Sequence, residues 1–250
     1  MPQRPLLLIT GAGGGIGRAT AERAAAAGYE VAASDRNVEA LDATVAAIRA
    51  TGGEAEAWPC DIGDAVAVAG LFAGLRDRYG RLDAAFNNAG VGGSGGVGLA
   101  DTDDEAWEAA LRVNLSGTYH CLKHEIRWMR ETGGGAIVNN SSVLGINGGI
   151  SAPYTATKHA IAGLTKSAAL SYGGDGIRVN AVCPGFINAG MGLNLFSRHA
   201  EATRAVIGQL PLPRPGSADE VADAVLWLCS PAAGYVTGTL LPVDGGFSAR

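Results

Sequence analysis

The chain has 250 residues, 47% of them hydrophobic and 17% charged, which is enough apolar material for the core of one large α/β domain. A net charge of −5 and the lack of any cluster of Lys and Arg interleaved with aromatics argue against a nucleic-acid partner. No apolar run approaches the roughly 18–20 residues of a membrane span, and the short run after Arg4 stops at a glycine loop, so a soluble cytoplasmic protein is expected.

Short apolar runs alternate with longer amphipathic ones. The first strand candidate, residues 5–10 (PLLLIT), runs into a glycine loop, GAGGGIG at 11–17, and a helix rich in small residues follows. Glycines are needed there where backbone approaches a pyrophosphate and where helix and strand pack closely, and a helix start offers free N–H groups to phosphate. Gly11, Gly15, Ile16 and Gly17 are the candidates for that contact. A second strand is expected at 30–34. Asp35, eighteen residues beyond Gly17, can accept hydrogen bonds from ribose hydroxyls and would repel a 2′-phosphate, which favours NAD over NADP. Arg36 beside it could instead bind that phosphate, and "SDRNVEAL" also reads as a helix start with Asp35 as N-cap.

A third strand is expected at 54–60. A fourth at 82–88 leads into a second glycine loop, GVGGSGGVG at 90–98. The periodicity of Trp107, Leu111, Leu115, Leu122, Ile126 and Met129 predicts one helix over 104–131, with Asn114 on or beside its apolar stripe, a costly place for an amide unless hydrogen-bonded. A fifth strand at 135–141 ends in two adjacent serines, Ser141 and Ser142. Residues 153–159, PYTATKH, stack Tyr154 and Lys158 on one helix face, about 5–6 Å apart at Cβ. The sixth and seventh strands are expected at 177–183 and 238–244. Between them residues 186–215, with Phe186, Met191, Leu193, Leu195 and Phe196, interrupt the alternation as an amphipathic lid would. Buried strands alternating with helices predict a doubly wound parallel sheet, and without a linker or composition break residues 1–250 form a single domain. Its ligand belongs at the carboxyl edge, where both glycine loops fall.

Cys60, Cys121, Cys183 and Cys229 lack metal-ligand spacing and sit in apolar segments, as reduced buried thiols do. His120 and His124 are four apart, but neither the segment between them nor His159 or His199 completes a ligand set, so no metal is expected.

The segments TGAGGGIG (10–17), NNAG (87–90), Asn114 in RVNLSG, the serines of IVNNSS, YTATK (154–158) and RVNAVCPG (178–185) occur in an order and spacing that resembles the short-chain dehydrogenase/reductase family. The resemblance runs through LPVDGGF (241–247) and covers essentially the whole chain. It implies a Rossmann fold, a nicotinamide cofactor, and a catalytic set of Asn114, Ser142, Tyr154 and Lys158. It also implies cofactor contacts from Asp61, Ile62, Asn88, Ala89, Gly90, Pro184, Gly185 and Ile187. Lys158 would also hold the nicotinamide ribose. Chemistry supports the tyrosine independently. Oxidising an alcohol requires a group that takes the hydroxyl proton, and a free phenol, with pKa about 10, is too weak a base at neutral pH unless Lys158 and the oxidised cofactor lower it.

Motif register puts the family's active serine at Ser142, although its separation from Tyr154 is one residue shorter than the family's common spacing, which Ser141 matches. The family often carries threonine where this chain has Ala189, so one hydroxyl contact to the cofactor is missing. The implied activity is an NAD-dependent dehydrogenase acting on a neutral, mostly apolar and cyclic secondary alcohol or diol, or on the corresponding ketone. The alternatives are an NADPH-dependent carbonyl reductase and a dinucleotide-binding regulator without turnover. Resemblance further implies a homotetramer built through helices 104–131 and 152–173 and the last strand.

Overall fold

The computed structural model describes residues 4–93, 97–198 and 200–249, without the side chains of residues 194–196 and 198. Ser94, Gly95 and Gly96 of the second glycine loop, His199, and the side chains of Leu195 and Phe196 therefore lie outside the described residues.

Seven strands form one parallel sheet in the order β3-β2-β1-β4-β5-β6-β7. They are β1 (Leu6–Thr10), β2 (Glu30–Asp35), β3 (Glu54–Pro59), β4 (Ala84–Asn87), β5 (Gly135–Asn140), β6 (Ile177–Pro184) and β7 (Leu240–Val243). The central strands are buried along their length, as LLLIT and AAFN require when helices cover both faces. On one face α1 (Gly15–Ala26), α2 (Val38–Ala50) and α9 (Ala218–Cys229) cover a core of Leu7, Ile9, Val31, Leu41, Phe86 and Val225. On the other, α3 (Ala65–Tyr79), α5 (Thr118–Thr132) and α6 (Ala152–Tyr172) cover Leu8, Phe72, Leu75, Ile137, Trp128 and Met129. Strand order reverses between β1 and β4, and a crevice opens there at the carboxyl ends.

The helix expected over 104–131 is not continuous. It consists of α4 (Asp104–Ala110), a π-helical turn at Leu111–Gly117, and α5. One tertiary and one local contact accompany the break. Gly117 packs against Ile62 so closely that a Cβ there would lie 2.8 Å from the isoleucine side chain, and Thr118 Oγ1 donates to the Asn114 carbonyl at 2.8 Å. π-turns inside α-helices commonly mark functional sites. After β6 the chain forms α7 (Met191–Arg198) and α8 (Ala200–Ile207) before returning to α9. No described helix is long and apolar enough to cross a membrane.

Candidate active site

A cleft of about 300 Å³ follows the switch point. At one end lie Gly11, Gly14, Gly15, Ile16, Asp35, Arg36, Asp61 and Ile62. At the other are Ser142, Tyr154, Pro184, Gly185 and Ile187, with Asn88, Ala89 and Gly90 along the floor.

The glycine loop fits a pyrophosphate. Gly14 is the N-cap of α1 with no side-chain cap, the first turn carries no acid, and a Cβ on Gly14 would meet no atom within 4 Å. Free N–H groups at a positive dipole end therefore face open space. Gly17 differs from its neighbours. It is buried, and a Cβ there would sit 2.0 Å from the Gly11 carbonyl oxygen, so it serves close packing beneath the loop rather than lining the cleft. Asn88 braces the same loop: its Nδ2 donates to the carbonyls of Thr10 and Gly11 at 3.1 and 3.0 Å, and its Oδ1 accepts from Asn140 at 2.9 Å.

Asp35 does not cap α2. That cap is Asn37, whose side chain accepts from Ala40 N. Asp35 instead accepts from Gly13 N through Oδ2 at 3.0 Å and from Asn37 N through Oδ1 at 2.9 Å, which holds the carboxylate beside the glycine loop. Asp61 accepts from Gly63 N at 2.9 Å and from Arg112 at 3.3 Å. The Gly63 bond first, then Arg112 and the charge of Arg36, hold its carboxyl below the usual aspartate value.

At the reacting end α6 presents Tyr154 to the cleft, while Lys158, one turn on, is 2% exposed. Ser142 lines the cleft with Tyr154, and its hydroxyl accepts from Leu144 N at 3.1 Å. Ser141 points away, its hydroxyl donating to the Lys158 carbonyl at 2.9 Å. Lys158 Nζ lies 5.3 Å from the centre of the Tyr154 ring and donates to the Asn140 carbonyl at 2.7 Å.

Burial pushes Tyr154 above the ordinary tyrosine value, and within the chain the Ser142 hydroxyl is the group that opposes the shift. Burial also brings Lys158 down to about 8. The ammonium approaches the face of the ring and is bound to a carbonyl.

Asn114 is fully buried on the π-turn. Its Oδ1 accepts from Val91 N at 2.8 Å, and its Nδ2 donates to Val91 O at 3.0 Å and to Thr157 Oγ1 at 3.3 Å. The amide thus ties the start of the second glycine loop to α6 between Tyr154 and Lys158, and leaves its own carbonyl to Thr118.

Several cleft residues were not singled out from sequence: Gly14, Asn140, Val91, Val113 and Gly190. Asn140 stands directly before the serines, a polar residue at a buried strand end, and that was its available signal. Gly190, at φ +53°, lets its backbone approach Gly15, where a Cβ would lie 3.2 Å from Gly190 Cα. Met191 follows, its Sδ 3.8 Å from where a Cβ on Gly92 would be, so this segment touches both glycine loops. Ala189 lines the cleft without a hydroxyl. Among the described residues no group of three or more His, Cys, Asp or Glu could hold a metal ion.

A family model described as enoyl-(acyl carrier protein) reductase, of the short-chain alcohol dehydrogenase type, matches residues 11–248. A 2,5-dichloro-2,5-cyclohexadiene-1,4-diol dehydrogenase from Sphingobium indicum is 41% identical, covering 97% of this chain and 96% of its own. A cyclohexanol dehydrogenase from an Acinetobacter species is 38% identical, with 97% and 94% covered. The crystal structure of a levodione reductase superposes with a TM-score of 0.95 at 37% identity, covering 98% of each chain. Matched from glycine loop to C-terminal turn, and carrying the serine and tyrosine at one end of the cleft with the lysine behind them, this chain belongs to the short-chain dehydrogenase/reductase family of oxidoreductases.

Proposed function

We propose that the protein is an NAD-dependent dehydrogenase that oxidises a neutral, mostly apolar cyclic secondary alcohol or diol to its ketone. The observation that carries the reading is the distribution of charge along the cleft. Its charged lining residues, Asp35, Arg36 and Asp61, all lie at the adenosine end. The segments around the reacting end, residues 90–98, 141–154 and 185–197, contain no charged residue at all. Val91, Val113 and Met191 add apolar surface. A phosphorylated or coenzyme A-linked substrate would find no cation there other than the buried Lys158, whereas an apolar ring loses nothing on entry. The activities of the diol and cyclohexanol relatives agree with this reading.

The bound nicotinamide supplies the hydride acceptor. The chain's own residues do the rest. Ser142 orients the alcohol oxygen and Tyr154 Oη takes its proton. Lys158, held by the Asn140 carbonyl, keeps positive charge beside the ring and would hold the nicotinamide ribose. Asn114 holds the second glycine loop and α6 in register. Gly11, Gly15 and the open N-terminus of α1 hold the pyrophosphate, and Pro184, Gly185 and Ile187 wall the nicotinamide. Residues 186–215 act as a lid, with Gly190 and Met191 as its contacts with the glycine loops. The enzyme is cytoplasmic, with four reduced buried thiols. It assembles as a tetramer through α5 and α6, whose Tyr119 and Leu170 stand exposed.

The test is NADH formation with cyclohexanols, cyclic diols, linear alcohols and phosphorylated alcohols. Turnover confined to neutral cyclic substrates is expected, and preference for a phosphorylated one would refute the reading. The NAD preference rests on Asp35, fixed by Gly13 N and Asn37 N where a 2′-phosphate would meet its charge. Asp35→Ala is expected to weaken NAD+ and improve NADP+, shifting the ratio of their kcat/KM values at least about tenfold, the scale of one charged hydrogen bond. An unchanged ratio would assign control to Arg36 instead.

A further inference from the structure

The direction of the Ser142 hydroxyl depends on the loop that follows it. Val143–Gly145 forms a single 3-10 turn capped by Ser142. Asn147 closes that turn, because its backbone N–H and its Nδ2 both donate to the Val143 carbonyl, at 2.9 and 3.0 Å. The same Nδ2 also donates to Ser248 Oγ at 2.9 Å, a contact across 101 positions of sequence.

Ser248 is itself held. Its backbone N–H donates to Asp244 Oδ2 at 2.9 Å, and Gly246 N donates to Asp244 Oδ1 at 2.9 Å, so one carboxylate folds the C-terminal turn. Phe247 packs edge-on against Phe186 with ring centres 6.0 Å apart. The turn also presses on the nicotinamide wall. Gly185 N donates to Val243 O at 3.0 Å, and a Cβ on Gly185 would lie 2.8 Å from Asp244 Cα.

We propose that Asn147 is a positioning residue for Ser142, and that the C-terminal turn from Asp244 to Ala249 is its anchor, so that one segment braces both the serine loop and the Gly185 wall. The proposal rests on the reading that Ser142 orients the alcohol. Neither Asn147 nor the Asp244–Ala249 turn lines the cleft. Its effect is to keep a hydroxyl where a small displacement is costly to rate.

The experiment compares Asn147→Ala, Ser248→Ala, their double variant and Ser248→Thr by two readouts. Amide exchange at Leu144 and Gly145 reads the loop without any substrate, and both alanine variants are expected to speed it about tenfold. In turnover, kcat for a cyclic alcohol is expected to fall about tenfold while KM for NAD+ stays within about twofold. The double variant should be no worse than either single, since both remove one link, and Ser248→Thr, which keeps the hydroxyl, should behave as the wild type. Unchanged exchange in both single variants would overturn the anchor, whatever the substrate proves to be. Faster exchange with unchanged kcat would overturn the positioning role. A wild-type protein inactive on every alcohol would overturn the reaction reading and the serine's role with it, while the exchange result alone would still decide the anchor.

Discussion

Tyr154→Phe is expected to lower alcohol turnover by about 10²–10⁴-fold, the range of general acid–base catalysis, while NADH binding stays within about twofold. The substitution removes one oxygen and leaves the ring on α6, so the cleft keeps its shape. Tyr154 lines the cleft together with Ser142. Ser142 Oγ already accepts from Leu144 N, which leaves its proton free for the phenol or the substrate oxygen. Steady-state kinetics with a fluorescence titration of NADH would check both halves. A variant retaining more than about a tenth of wild-type turnover would remove Tyr154 from the chemistry.

Lys158→Met has the second large effect, and it depends on pH. Tyr154 and Lys158 are packed together, so the proton that leaves on activation belongs to the pair rather than to either group. Burial depresses the lysine to about 8 and raises the tyrosine. The form that has lost one proton accepts the alcohol's proton. Oxidation is therefore expected to rise with pH through the region near 8, and ketone reduction, which needs the proton on the pair, to fall through it. In Lys158→Met only the raised phenol remains. Oxidation should drop about 100-fold or more at neutral pH and recover as pH climbs towards 10 and beyond. Methionine leaves the Asn140 carbonyl without its partner at a cost of about 1–3 kcal/mol, so the comparison is made on the folded fraction. A pH profile unchanged in shape would mean that the lysine serves the cofactor alone.

The sheet was legible because a parallel sheet buried on both faces needs continuous apolar strands, and LLLIT, AAFN and IRVNAVC read as nothing else. Its edges were less so. The strand expected from 82 begins at Ala84 because Asp83 is spent on the neighbouring strand, its carboxylate accepting from Leu6 N at 2.8 Å and its N–H donating to Leu6 O. The π-turn could not be read, since an apolar period near 3.6 continues through it and the packing of Ile62 against Gly117 that accompanies it is tertiary. For the serines, spacing left two candidates. The fold separates them through the Lys158 carbonyl, which occupies the Ser141 hydroxyl, while the Ser142 hydroxyl accepts from Leu144 N and keeps its proton. Gly17 illustrates a subtler limit, because a glycine needed for packing and one needed for phosphate look the same in a motif. The Asn147–Ser248 link was wholly out of reach, with two polar residues in uninformative loops joined only when β7 returns beside β6.

The central claim is that hydride passes between the carbinol carbon of a cyclic alcohol and the nicotinamide at this site. The most direct measurement incubates the protein with NAD+ and cyclohexanol carrying deuterium at the carbinol carbon, and then determines the mass of the NADH formed. One deuterium in the product is the result expected. NADH without the label, or no NADH from any cyclic alcohol in protein that still binds the cofactor, would contradict it.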